Sequence, residues 1–357
     1  MKKLILFLAF MALVVVACNN DSNETIPNQE IAEVDMSDFY LYTDKEDNGT
    51  AGKSTQSGEK CHSMHVLNRQ LKENPGLYQK MYNVEKHTRQ FIAAKKPTGT
   101  PGGGGGTDPG TDPGTDPTYT EAITIPVIVN ILEDPAHPVT QAHIDSQIEI
   151  LNEDYNNANP NTSGAPAEFS SLVADVNITF TLASVNRKAS TKTTWGTNDA
   201  MKYASQGGID ATSPSTYLNL WVCEIGGGIL GYAQFPGGTN ATDGVVIGSD
   251  FLGENTAGGV YGDGRTATHE VGHWLNLRHI WGDGRCRQDD FVTDTPSSDG
   301  ANYGCPTYPT INCKSADMTM NYMDYVYDDC MYMFTAGQND RMRALFIPGG
   351  AKESFVN

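Results

Sequence analysis

The stretch Thr266–Gly284, "TATHEVGHWLNLRHIWGDG", carries three histidines and a glutamate at spacings that suit metal chemistry. Residues four apart share one face of a helix, so His269 and His273 can offer two imidazoles to one ion. Glu270 lies beside the first and can reach a water on that ion, as a general base does. His279 follows His273 by six residues, and a helix running straight on would turn it away. A sharp turn after Leu275 would bring it back. Such a turn wants a left-handed residue, and Asn276 is one of the few non-glycine types that adopts that conformation readily. Three neutral imidazoles leave a fourth position for water, which is the ligand count of a catalytic zinc site. The chemistry this predicts is attack of activated water on a carbonyl, with Glu270 taking the proton.

Further on, "MTMNYMDYVYDDC" contains Met323 and Tyr325. Taken with the histidine motif, this resembles the metzincin zinc peptidases, and among them the pappalysin-like group with bacterial members of the ulilysin type. The resemblance covers about residues 119–346, and it departs from the family at Asn276, where glycine is usual. It implies zinc on His269, His273 and His279, with Glu270 as base and Met323 in the turn beneath the metal. Tyr325 matches a tyrosine that hydrogen-bonds the tetrahedral intermediate, and a phenol is suited to a developing oxyanion. The implied fold is α+β. A twisted, mixed five-stranded sheet with backing helices lies above a cleft, and an irregular, disulfide-stapled subdomain lies below. "ILGYAQF" is the expected edge strand, where an extended peptide would add as a further strand.

The elements that must position these groups are legible in outline. "AITIPVIVNIL", "VNITFTLASV", "YLNLWVCEI", "ILGYAQF" and "GVVIGSDF" read as strands. "VTQAHIDSQIEILNEDYNNAN" reads as an amphipathic helix with Ile144, Ile148, Leu151 and Tyr155 on one face. After the motif helix, regular structure is expected to return only at "GQNDRMRALF". Ahead of the strands, residues 62–96 show helical spacing broken at Asn74-Pro75-Gly76. The tract "PTGTPGGGGGTDPGTDPGTDPT" between these parts cannot form a core and reads as a linker. The chain is thus expected to comprise a lipoprotein signal and lipidated cysteine at 1–18, a tether and helical prosegment at 19–97, a linker at 98–117 and a catalytic domain at 118–357.

The start, "MKKLILFLAFMALVVVAC", has a basic end and an apolar run too short for a comfortable span. Val15-Val16-Ala17-Cys18 resembles a bacterial lipobox, with Cys18 as the lipidated residue. Export permits disulfides. Cys223 lies in an apolar stretch and reads as a buried thiol. Cys286, Cys305, Cys313 and Cys330 cluster after the motif, and by themselves allow three pairings. The resemblance implies Cys286 with Cys313 and Cys305 with Cys330. It also implies calcium at "CRQDDFVTDTP", through the side chains of Asp290 and Thr295 and backbone oxygens of Asp289 and Thr293; a stapled acidic loop can supply such hard ligands.

A formal charge of −19 disfavours nucleic acid and anionic membranes and favours basic peptides. The function expected is that of an exported zinc endopeptidase, made as a latent zymogen and acting as a monomer on peptides or proteins. It would be held to the outer membrane or cell surface through its lipid, or released after processing. In ulilysin-like enzymes an aspartate before the last disulfide cysteine floors the pocket after the scissile bond. Here that is Asp329, which implies cleavage on the amino side of arginine, and less well of lysine. Cys61 would cap the zinc in the latent form, as a prosegment cysteine does in related enzymes, although His62 stands where glycine usually follows. Self-processing at a basic site such as Ala94-Lys95 is expected. The alternatives are an adhesion or peptide-binding lipoprotein on an inactive peptidase scaffold, and a metallohydrolase of a non-peptide substrate.

Overall fold

The computed structural model describes residues 33–41, 60–95 and 121–356. The expected signal segment with Cys18, the expected linker at 98–117 and much of the expected tether lie outside these residues. No helix among the described residues is long and apolar enough to cross a membrane.

The expected strands form one sheet. β1 (Ile123–Glu133), β2 (Ile178–Ala189), β3 (Leu218–Cys223), β4 (Gly231–Ala233) and β5 (Val245–Gly248) lie in the order β2-β1-β3-β5-β4. All pairs are parallel except β4 with β5. β1 and β3 are nearly continuous runs of buried Ile, Val and Leu, as strands covered on both faces require. Pro126 is tolerated in β1 because β3 begins to pair only at Val127, and the register against β2 shifts just after it.

α3 (Gln141–Tyr155) backs the sheet and buries Ile144, Leu151 and Tyr155. Thr140 starts it, accepting the amide of His143 at 3.2 Å, which satisfies one of the donors a helix start leaves open. α3 also fixes the motif helix, α4 (Arg265–Trp274). Tyr155 donates its hydroxyl to the carbonyl of Thr268 at 3.0 Å, and the Thr268 hydroxyl donates to Asp154 at 2.7 Å. Every residue of α4 is buried.

Below α4 the chain is irregular, as expected, until α5 (Ala336–Arg343). Disulfides join Cys286 to Cys313 and Cys305 to Cys330. The lower part is no separate layer of polar loops: Met318, Met320, Tyr322, Met331 and Phe334 share one apolar core with the sheet and α4. Cys223 is a buried free thiol.

The N-terminal helices are α1 (Ser63–Glu73) and α2 (Leu77–Lys95), broken at Asn74-Pro75-Gly76 as expected. They pack against the domain that carries α4. Glu85 of α2 is buried against Arg341 of α5 in a two-point ion pair, with bonds of 2.8 and 3.2 Å, and Arg89 also reaches Glu85 at 2.8 Å. Residues 33–41 run alongside: Phe39 packs on Tyr78, Tyr82 and Phe291. The Tyr40 hydroxyl donates to the carbonyl of Asp289 at 2.8 Å.

Candidate active site

The reversal after α4 falls where the sequence predicts it. The Leu275 amide donates back to the Val271 carbonyl at 2.9 Å, Asn276 has a φ of +71°, and the Leu277 amide returns to the Gly272 carbonyl at 2.9 Å. This turn carries His279 back toward α4. His273 Nε2 then lies 3.1 Å from Nε2 of His269 and 3.1 Å from Nε2 of His279. The other ring nitrogens are already engaged. His269 Nδ1 meets the Tyr322 carbonyl at 2.7 Å, His273 Nδ1 the Leu277 carbonyl at 2.8 Å, and His279 Nδ1 the Asp283 carboxylate. With their Nδ1 protons donated outward, the three rings turn Nε2 lone pairs toward one another.

Cys61 completes this group. One ligand atom from each of Cys61, His269, His273 and His279 lies within 4.8 Å of the others, and all four residues are buried. Burial pushes the His269 imidazole down to about 4 and His273 well below its usual value. It pushes the Cys61 thiol well up and the Glu270 carboxyl up to about 8. These four groups are thus driven neutral by their surroundings, and a dication would offset that cost for the two anions. Three imidazole nitrogens and one sulfur this close together are a donor set that zinc prefers. The residues present therefore fit zinc.

Gly272 has no space for a side chain, since a Cβ there would stand 2.5 Å from Met323 Sδ. Met323 therefore lies directly against the helix that carries His269 and His273. Tyr325 is buried with its ring against those of His269 and His279, at centroid distances of 5.7 and 5.0 Å.

The segment at 60–63 occupies the cleft. Its backbone adds to β4: Leu230 donates to the Lys60 carbonyl at 2.9 Å, and His62 donates to the Gly231 carbonyl at 3.0 Å. Ser63, a residue without a sequence signal, donates its hydroxyl to Glu270 Oε2 at 2.7 Å and accepts the Ala233 amide at 2.7 Å. The Cys61 thiol also reaches Glu270, at 3.5 Å, and the Tyr325 hydroxyl donates to the Cys61 carbonyl at 3.3 Å.

Lys60 enters a pocket beside the site. Its ammonium lies 3.4 Å from the ring centroid of Tyr261, with Tyr303 and Tyr327 also near. Burial lowers its pKa to about 8, against the opposing pull of Asp328. This acid differs from the expected one. Asp328 lines the pocket and is buried, accepting the amides of Asp263 and Arg265 at 3.0 and 3.2 Å, whereas Asp329 is exposed. Both stand in a single 3-10 turn, Asp328–Cys330, in which neighbouring side chains point apart, so a shift of one residue exchanges inside for outside.

The loop after Cys286 holds Asp290 buried. Its carboxylate accepts the Thr295 hydroxyl at 2.9 Å and the Val292 amide at 3.0 Å, and burial raises its pKa well above the usual range. The Asp289 carbonyl is taken by Tyr40, and Thr293 is exposed.

A parallel sheet with one antiparallel edge strand, set over a helix whose imidazoles meet a third histidine beyond a tight turn, defines a metzincin-type zinc metalloendopeptidase. The comparisons agree. The family model described as Pregnancy-associated plasma protein-A matches residues 209–346. An extracellular metalloprotease of Sordaria macrospora is 35% identical over 221 residues, which are 58% of this chain and 68% of that protein. One of Pyricularia oryzae is 34% identical over 242 residues, 63% and 75% respectively. Among solved structures, mature mirolysin of Tannerella forsythia in complex with a cleaved peptide is similar, with TM-score 0.64 and 40% identity over 66% of this chain and 96% of that one. A promirolysin variant from the same organism gives TM-score 0.70 and 34% identity over 83% and 97%. The chain belongs to the pregnancy-associated plasma protein-A family of metallopeptidases.

Proposed function

We propose that this chain is an exported, lipid-anchored endopeptidase made latent by its own N-terminal segment, and that it cuts on the amino side of basic residues. One observation carries the reading: three neighbouring residues of that segment engage three parts of the site at once. Lys60 lies in the pocket, Cys61 faces the imidazoles and Ser63 holds Glu270. A peptide substrate needs each of these places, so cleavage requires the segment to leave.

Zinc on His269, His273 and His279 would supply the Lewis acid that polarises a carbonyl and acidifies water. Glu270 takes the proton at Oε2, the atom that Ser63 now engages. Tyr325 donates to the substrate carbonyl oxygen as it gains charge, from the position where it now donates to the Cys61 carbonyl. The edge of β4 that residues 60–62 now cover holds the peptide backbone once they leave. Asp328 and the aromatic walls around Lys60 select a cationic side chain; arginine leads because its planar fork can meet a carboxylate at two points.

Calcium on the loop of Asp289, Asp290, Thr293 and Thr295 is proposed as well. The support is the buried Asp290 carboxylate, whose charge a dication would stabilise. The limits 19–97 for the prosegment and 118–357 for the catalytic domain follow the linker composition. Export is supported by the relatives named extracellular metalloproteases, and lipidation of Cys18 by the lipobox. Processing at Ala94-Lys95 requires the last turn of α2 to open, since Lys95 ends that helix and pairs with Asp340.

The test is digestion of a peptide library by the processed enzyme, with and without a zinc chelator, read by mass spectrometry. Chelator-sensitive cuts that leave Arg or Lys at the new amino terminus are expected. Cuts without basic preference would overturn the specificity, and chelator-resistant cuts would overturn the zinc role.

A further inference from the structure

Three side chains at the carboxyl end of the sheet form a second cluster that the peptidase site does not use. His137 lies just beyond β1, Glu224 directly follows β3, and Asp250 lies just beyond β5. These are the carboxyl ends of three neighbouring parallel strands. His137 Nδ1 stands 2.9 Å from Asp250 Oδ2 and 3.8 Å from Glu224 Oε2, and one ligand atom from each residue lies within 4.8 Å of the others. Ligands about 2.0–2.2 Å from a zinc ion lie roughly 3.3 Å from each other, so the spacing suits one small ion. All three side chains are about a quarter to a third exposed, which leaves coordination positions for water.

A second observation concerns charge. Asp134 stands in the same loop as His137, and its Oδ2 is buried with no hydrogen-bond partner. Its charge acts on both His137 and Glu224. The neighbourhood thus holds three carboxylates against one imidazole, and a protonated His137 offsets only one of them. We propose that His137, Glu224 and Asp250 bind a divalent transition-metal ion of the zinc class, separate from the catalytic metal. The imidazole argues against calcium or magnesium, which take oxygen ligands. An ion there would tie the segment after Glu224 to the sheet, and that segment leads into β4, the strand that meets residues 60–62.

The test is zinc itself. The full chain is dialysed to equilibrium against buffered micromolar Zn²⁺, and zinc per chain is counted by mass spectrometry. His137→Ala and Asp250→Asn should each hold one zinc fewer than the parent while keeping peptidase activity after processing. His273→Ala should lose a different zinc, and combining it with Asp250→Asn should lose both. Zn²⁺ should also raise the Tm of His273→Ala but not of the combined variant, which keeps the proposal testable if His137→Ala folds poorly. Equal zinc content in parent, His137→Ala and Asp250→Asn would overturn it and leave an ionic triad only. Loss of zinc from His273→Ala bears on the catalytic site alone, so the two readings fail separately.

Discussion

The Ser63 hydroxyl stands 2.7 Å from Oε2 of Glu270, across 207 positions of sequence, and engages the atom that must accept a proton. A dication on the imidazoles would keep Glu270 ionised, and removing a hydrogen bond to a charged group costs about 1.5–3 kcal/mol. Ser63→Ala should therefore raise the residual activity of the intact chain by roughly tenfold or more, since each 1.4 kcal/mol is a factor of ten in the docking equilibrium. Cys61→Ala should act in the same direction. Hydrolysis of a fluorogenic peptide by unprocessed protein measures both, and two variants as silent as the parent would argue against latency through this segment.

Glu85 and Arg341 anchor the other end of the same segment. Burial alone would raise the Glu85 carboxyl, but the charge and hydrogen bonds of Arg341 outweigh it and hold it at about 2, against 4.5 when free. The released segment therefore binds more protons between those values, while the arginines stay charged. Glu85 should contribute fully to docking above about pH 4.5 and lose its contribution as the pH falls toward 2. Energy transfer between labels on α2 and the catalytic domain should stay constant from pH 8 to 5 and fall in acid. Glu85→Gln should weaken docking at pH 7, because breaking a buried pair from one side costs about 3–5 kcal/mol. Loss of docking between pH 8 and 6 in the parent would point to other groups.

The pocket prediction separates two adjacent acids. Asp328→Asn should reduce the preference for basic over neutral residues by roughly 10–100-fold in kcat/KM, the range of a charge-assisted contact. Asp329→Asn should leave the preference intact. Digestion of one peptide library by both variants decides it, and the reverse pattern would restore Asp329 to the pocket.

Gly272→Ala tests how closely α4 rests on the turn below. The added Cβ would meet Met323 Sδ at 2.5 Å. Overpacking of this kind costs about 1–3 kcal/mol, which corresponds to a Tm lower by roughly 2–4 °C per kcal/mol for a domain of this size. An unchanged Tm would mean that Met323 moves aside freely.

Much of the site was legible because local spacing carries it. His269 and His273 share a helix face by periodicity, and Asn276 announces the left-handed turn that returns His279. The strands were legible as β-branched runs, and the break between α1 and α2 as Asn-Pro-Gly. What could not be read depends on tertiary contact. Serine at position 63 looks like any helix-start residue until the fold sets it against Glu270. Glu85 and Arg341 are two ordinary surface types that become a buried pair only when α2 docks. Asp328 and Asp329 are chemically identical neighbours, and the direction of a side chain in a 3-10 turn is set by packing rather than by sequence pattern. Tyr40 likewise shows no motif, yet it closes on the loop of Asp289.

Replacement of Glu270 by alanine in the processed enzyme is the decisive measurement. The variant should fold, keep its metal by direct count, and lose several orders of magnitude in kcat, because the only other carboxylate named at the imidazoles, Asp283, is engaged at His279 Nδ1, on the side away from the converging Nε2 atoms. A Glu270→Ala enzyme that holds its metal and still cleaves peptides at near the parent rate would contradict the proposed chemistry.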